Sequence, residues 1–252
     1  MNSTTINQSY LYRFERLVSK MVKPSEPPAI CIIPHGGNLK LCAFGKEAIL
    51  TMLIRNEGFV DPFTLHWADL KQIAVKKDVG VTFHVNKDAV HVRYGEQQHW
   101  FPTNKKVNSL PTNPPETATF EKTQLLDALN QAARCTDPAN IKYALGAVCF
   151  RGSTSQIIST SGTQLLVQDG FLFPWKDDVL CPVSKLFASK ELKEIDTDEM
   201  LLGYTHSNWV YSAVCGRVLT QMAKIHRFVP AETIRLYMCR SPVPNRNMTR
   251  SG

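Results

Sequence analysis

The chain has 252 residues, 43% hydrophobic and 20% charged, with a formal net charge of +7, the make-up of an ordinary globular protein with one large or two mid-sized domains. Its longest apolar runs, such as "AILTMLI", fall far short of the roughly 20 residues of a bilayer span, and "MNSTTINQSY" lacks the basic start and apolar run of a signal peptide. Seven scattered cysteines with no C-x-x-C pair exclude a disulfide framework and a zinc ribbon. They read as small core hydrophobes in a reducing cytoplasm. The basic excess favours polyanion partners through steering and counterion release.

The first predicted element is a helix in "LYRFERLVSKMVK". Leu11, Phe14, Val18 and Met21 step by 3, 4 and 3 residues, one helix face. Pro24, Pro27 and Pro28 end it. "AICII", a "PHGGN" turn and "LKLCAFG" read as a hairpin, and "AILTMLI" as the next strand. "DPFTLHWADLKQIAVKK" reads as a strand end leading into a helix, with Trp67, Leu70 and Ile73 or Ala74 inward. In "GVTFHVNKDAVHVRYG" two alternating runs flank "NKD", a second hairpin. "QHWFP" adds a short strand.

A Pro/Thr-rich linker, "PTNPPETAT", follows. From Phe120 the same order returns. "EKTQLLDALNQAARC" is a helix with Leu125, Leu126, Leu129 and Ala133 inward. "KYALGAVCF" and "SQIIST" form a hairpin, and "QLLVQD" is the next strand. "DDVLCPVSKLFASKELKE" reads as a strand leading into a helix, "EMLLGYTHSNWVYSAVCG" as a hairpin, and "RVLTQMA" as the last strand. The chain therefore reads as two copies of one α+β unit, with Phe120 the counterpart of Phe14. The expected division is residues 1–115 and 116–240, with 241–252 a disordered tail. Outer strand edges are expected to be open for pairing between domains or subunits.

Charge is patterned on the first helix. Arg13, Arg16, Lys20 and Lys23 share a face opposite the apolar stripe, interrupted only by Glu15, off the stripe. The second helix adds Lys71, Lys76 and Lys77. Lys122, Arg134, Lys185, Lys190 and Lys193 lie less regularly in the second half. No P-loop, G-x-G-x-x-G, H-E-x-x-H or G-x-S-x-G occurs in the sequence. His84, His91 and His99 fall on or beside hairpin strands, with His84 facing outward. His66 and Asp69 have no nucleophile beside them. No catalytic residue, metal or cofactor is expected.

Several stretches together resemble the bacterial DNA polymerase III beta subunit, the sliding clamp. "KYALGAVCF" is similar to that family's Arg-Tyr-Tyr-Leu-Asn-Gly strand, and "TSGTQLLV" to its Thr-Asp-Gly-His-Arg-Leu-Ala-Val. "DVLCPVSKLF" resembles its Val-Ile-Val-Pro-Arg-Lys junction, "FTLHWADLKQIA" the same junction one domain earlier, and "HRFVP" its Gly-Arg-Phe-Pro. The resemblance runs from Tyr10 to Pro230. It implies a DNA-clamp fold of repeated domains, each with two helices packed on antiparallel sheets. It also implies a non-catalytic processivity factor that encircles duplex DNA without reading its sequence, helices inside and sheets outside.

By the same resemblance, the basic residues named above contact phosphates, joined by Lys142 and Tyr143 near the inner rim. Leu145, Thr160, Gly162 and Leu165 match a hydrophobic pocket where polymerase and repair proteins dock short peptides. The implied partners are duplex DNA, DNA polymerase and clamp loader subunits, in the cytoplasm at the nucleoid, with no membrane. Three features depart from the family. Its members carry three domains where this chain has room for two, so a six-domain ring needs a trimer. Ser161, Thr163 and Gln164 replace the family's Asp, His and Arg. The residues after Pro230 do not begin a third domain. A second reading is a clamp-derived adaptor that binds proteins and forms no ring; an enzyme ranks far behind.

Overall fold

A computed structural model describes residues 2–23, 25–46, 48–55, 58, 60–103, 108–110, 116–139, 145–204, 209–217 and 230–239. The first strand, β1 (Ser3–Asn7), runs directly into helix α1 (Gln8–Met21). Asn7 caps the helix by accepting from the Ser9 N–H at 2.9 Å. Leu11, Phe14, Leu17 and Val18 are fully buried. Met21 is only half-buried, so the apolar stripe is wider toward Leu17 than the 3-4-3 stepping implies. Each such burial contributes about 1.5–3 kcal/mol. The helix ends at Val22, which is extended, so Lys23 lies beyond it.

The rest of the first half is β2 (Ala29–His35), β3 (Asn38–Phe44), β4 (Ala48–Arg55), β5 (Phe63–Leu65), α2 (Trp67–Ile73), β6 (Gly80–Val85), β7 (Ala89–Tyr94) and β8 (Gln97–Pro102). The second half repeats it: β9 (Thr117–Glu121), α3 (Lys122–Arg134), β10 (Ala147–Arg151), β11 (Gln156–Thr160), β12 (Leu165–Gln168) and β13 (Asp178–Pro182). A 3-10 turn (Lys185–Ala188), α4 (Lys190–Lys193), β14 (Glu199–Tyr204), β15 (Trp209–Arg217) and β16 (Pro230–Cys239) complete it. The α+β order read from the sequence is the order observed.

Five readings are corrected. Strands β1 and β9 were not expected, and β9 takes up the end of the supposed linker. Glu121 caps α3 as Asn7 caps α1, so Phe120 matches Ile6 rather than Phe14. Its carboxylate accepts the Gln124 and Thr123 N–H groups, which hold it below the usual carboxylate range. The helix read after "DVLCP" is broken: Ser184 caps the 3-10 turn through Leu186 N, and Ser189 caps a separate α4 through Leu192 N. The last described strand is Pro230–Cys239; of "RVLTQMA" only Arg217 is described, as the end of β15. On α3, Ala132 is buried where Ala133 was expected. The supposed tail, 241–252, lies outside the described residues.

All strand pairs are antiparallel. One sheet has the order β1-β6-β7-β8 and another β12-β11-β10-β13. The third runs β5-β2-β3-β4-β16-β15-β14-β9, four strands from each half. Its central joint is β4 against β16, from Ala48 opposite Met238 to Ile54 opposite Glu232. The halves thus share a sheet as well as a linker. Cys31, Cys42 and Cys181 are buried free thiols, and burial pushes Cys42 up to about 12 and raises Cys181 further. These three fit the expected small core hydrophobes, whereas Cys135 and Cys149 are only half-buried.

The two helix starts share one tether. Gln8, the first residue of α1, is buried and donates from Nε2 to Ile73 O at the end of α2 (2.8 Å). Lys122, the first residue of α3, is 7% exposed. Its ammonium donates to Lys193 O at 3.0 Å and Ile195 O at 2.6 Å, at the end of α4. A cation at a helix C-terminus is favourably placed. Lys122 is therefore a structural residue, and its assignment to DNA contact is corrected. Lys122→Met should take the ammonium from Lys193 O, while Ile195 O keeps the Thr197 N–H at 2.8 Å, and lower stability by about 1.5–3 kcal/mol, read as a shift in the urea midpoint at constant slope.

Candidate nucleic-acid interface and peptide pocket

The four helices form one layer. α1 packs on α2, and across the halves on the 3-10 turn and α4; α3 packs on the same turn. Arg16 Nε donates to Glu191 Oε1 at 3.4 Å, tying α1 to α4. In the second half α3 packs on β10 and β11; in the first, α1 packs on β1 and on β4 of the eight-stranded sheet.

The predicted cations differ in whether a carboxylate meets them. Arg16 pairs with Glu191, Lys193 with Asp127 at 3.1 Å, and Lys190 with Glu194 at 3.3 Å. Exposed pairs of this kind are each worth about 0–1 kcal/mol, and they neutralise part of the surface. Lys20, Lys71, Lys76, Lys77, Arg134 and Lys185 make no ion pair among the described residues. Lys71 stands 5.6 Å from the Trp67 ring centroid, a cation–π distance. Lys20 and Arg134 occupy the last turns of α1 and α3, and Lys23 is exposed just past α1. Arg13 is half-buried on the same helix. Lys142 and Tyr143 lie outside the described residues.

The "TSGT" knot is a closed turn between β11 and β12. Thr160 Oγ1 donates to Gln164 O at 2.7 Å and accepts from Gly162 N at 3.0 Å. Ser161 Oγ accepts from Gln164 N at 3.2 Å and lies 3.2 Å from Thr163 Oγ1, so the turn closes upon itself. Gly162 has φ +92°, and a Cβ there would sit 3.6 Å from Leu145 Cδ1. Leu145, Thr160 and Gly162 therefore meet at one corner. Leu165, opposite Thr160 in the ladder, is 69% exposed. It is not a core residue.

A separate cleft of about 870 Å³ opens in the first half, lined by Ile30, Cys31, Leu65, His66, Trp67 and their neighbours. None of the predicted site residues lines it. The histidines noted in the sequence form a surface ladder: His91 stacks on His84 at 5.9 Å and on Trp100 at 4.4 Å. Trp100, which sequence reading passed over, is 63% exposed; its alternation with buried Phe101 on "QHWFP" was the available signal. Among the described residues no group of three His, Cys, Asp or Glu is placed to hold a metal. No helix there is long and apolar enough to cross a membrane.

By sequence, neither a family model nor a curated protein matches the chain. By structure, the match is extensive. The DNA polymerase III subunit beta of Pseudomonas aeruginosa superposes with a TM-score of 0.71 at 16% identity, over 99% of this chain and 69% of that one. The chain has the sliding-clamp fold. A putative DNA polymerase III beta subunit from Eubacterium rectale gives 0.72 at 14% identity, over 98% and 67%. The beta clamp of Helicobacter pylori, solved with a DNA ligase peptide bound, gives 0.66 at 12%, over 99% and 70%. At these identities the clamp fold is what the likeness establishes.

The Gly162 turn gives a direct test of its geometry. Gly162→Ala meets only ordinary contact distance, so its cost comes from the positive φ. The variant should lose about 1–2 kcal/mol, seen in urea denaturation.

Proposed function

We propose that the chain is a DNA sliding clamp, a non-catalytic processivity factor that encircles duplex DNA and docks polymerase or repair proteins by short peptides. The observation that carries this reading is the single helix layer shared by both halves, whose cations include half-buried Lys20 and exposed Lys71, Arg134 and Lys185. Cations spread over several helices suit phosphate contact without base readout. Residues 1–115 and 116–240 are the two clamp domains, and three copies supply a six-domain ring. Leu145, Thr160, Gly162 and Leu165 receive the peptide, the closed turn allowing a backbone near and the leucines giving an apolar floor. DNA polymerase and clamp loader subunits are the partners, at the nucleoid in the cytoplasm.

A second reading, an adaptor that does not encircle DNA, is favoured by the pairing of Arg16, Lys190 and Lys193 with carboxylates. Duplex binding separates the two. Binding should be weak, indifferent to sequence, and steeply salt-dependent, with a slope of about −0.9 per neutralised phosphate. The variant Lys20→Glu/Lys71→Glu disturbs no ion pair. It should weaken binding to every duplex alike and reduce the salt slope by roughly one per lost contact. Fluorescence anisotropy across a salt series reads this; a slope unchanged in the folded variant rejects the helix layer as the DNA face.

A further inference from the structure

The cysteines are scattered in the sequence, but the β2–β3 ladder brings two of them together: Cys31 lies directly opposite Cys42. Cys149 faces Ile158 and Leu180 instead, and Cys181 faces Val148. Ile30, Ile32, Leu41 and Ala43, which flank the pair along both strands, belong to the core under the helices. Successive residues of a strand alternate between faces. Both thiols therefore stand on the other face of the eight-stranded sheet, in the row Thr64, Cys31, Cys42, Thr51. They are 1% and 0% exposed.

The hairpin sets their spacing. It closes at His35 and Asn38 around Gly36 and Gly37, both at positive φ, and every second pair from that closure repeats its kind. Cys31 and Cys42 are thus a pair of the type that exchanges both backbone hydrogen bonds, with Cα atoms about 5.5 Å apart. That lies inside the roughly 4.4–6.8 Å range of disulfides. Cβ atoms at opposed positions are about 4.5–5.5 Å apart, against about 3.5–4.5 Å in a disulfide. A bond here draws the two strands together and stays strained, and strained disulfides are readily reduced.

The two thiols are not equivalent. Cys31 lines the cleft of about 870 Å³ beside Leu65 and Trp67, and Cys42 does not. Burial raises both thiols, Cys42 to about 12, and the Asn108 N–H opposes the rise at Cys31. A donor of this kind favours the thiolate, the form that reacts.

We propose that Cys31 and Cys42 are a dithiol that hydrogen peroxide converts to a reversible disulfide between β2 and β3, with Cys31 reacting first. The Cys31 sulfur attacks a peroxide oxygen, the O–O bond breaks, and a sulfenic acid and one water result. The Cys42 sulfur then attacks the Cys31 sulfur. The S–O bond breaks, and hydroxide leaves with the Cys42 proton as a second water. Two thiols and one peroxide give one disulfide and two waters. A small dithiol restores both thiols and becomes a disulfide itself. Neither ring closure nor DNA takes part.

Peptide mass spectrometry of the full chain tests this. The folded protein is treated with peroxide, its remaining thiols are blocked with N-ethylmaleimide, and it is digested. The expected product is a peptide joining Cys31 to Cys42 within one chain, two hydrogens lighter than its parts and lost after dithiothreitol. In Cys42→Ala, Cys31 should stop at the sulfenic acid and take up dimedone; in Cys31→Ala, Cys42 should take up none. Circular dichroism checks that both variants fold, and the wild-type linkage is read without them. Wild-type protein in which half-buried Cys135 and Cys149 oxidise while Cys31 and Cys42 stay reduced overturns the proposal, as does a link that forms only in urea. Dimedone on Cys42 in folded Cys31→Ala overturns the order of reaction.

Discussion

The pairing of β4 with β16 is the constraint on which the arrangement depends. Without it each half would be a pair of four-stranded sheets under its own helices, free to turn about the linker. With it, the ladder from Ala48 to Ile54 fixes the orientation of one half against the other. Only then do α1 and α4 come near enough for Arg16 to reach Glu191. The helices of the two halves then meet in one layer.

Inside each half a smaller device does the comparable work for the helices. The residue that opens the first helix reaches, buried, to the carbonyl end of the second. In the first half it is the neutral amide of Gln8; in the second it is the ammonium of Lys122. The chemistry differs, but each buried donor meets a carbonyl acceptor, Ile73 O and Ile195 O each accepting a backbone N–H as well, and a partner of this kind is the condition under which a buried polar group is tolerated.

Much of this was legible in the sequence, and the failures have physical causes. The hairpin of Gly80–Val85 and Ala89–Tyr94 shows as plain alternation, and α1 and α3 as helical stepping, because one face of each is buried. The motif order pointed to the clamp fold that the superpositions bear out. Strands β1 and β9 were missed because "STTIN" and "TATFE" are short and polar; only their distant partners β6 and β14 make them strands. Lys122 was misread because a lysine opening a helix looks exposed until α4 is folded against it. Ser189 was read as a residue within a helix when its side chain starts a new one. The pocket turn was recognisable from Gly162, but the exposure of Leu165 follows from the sheet order, which no local pattern encodes.

The eight-stranded sheet also decides which changes the molecule can absorb. Sheets twist by roughly 20–25° from strand to strand, so the angle between the halves is set at the β4–β16 ladder, not along the chain between Thr103 and Thr117. Residues added to that connection would leave the angle alone, because the ladder already holds it. A residue added within β4 or β16 would shift the alternation and rotate one half against the other. Beside this joint the β15–β16 ladder already has one irregularity, at Gly216 and Arg217, and bulges sharpen local twist. The angle between the two halves is thus written in a few peptide units of neighbouring strands.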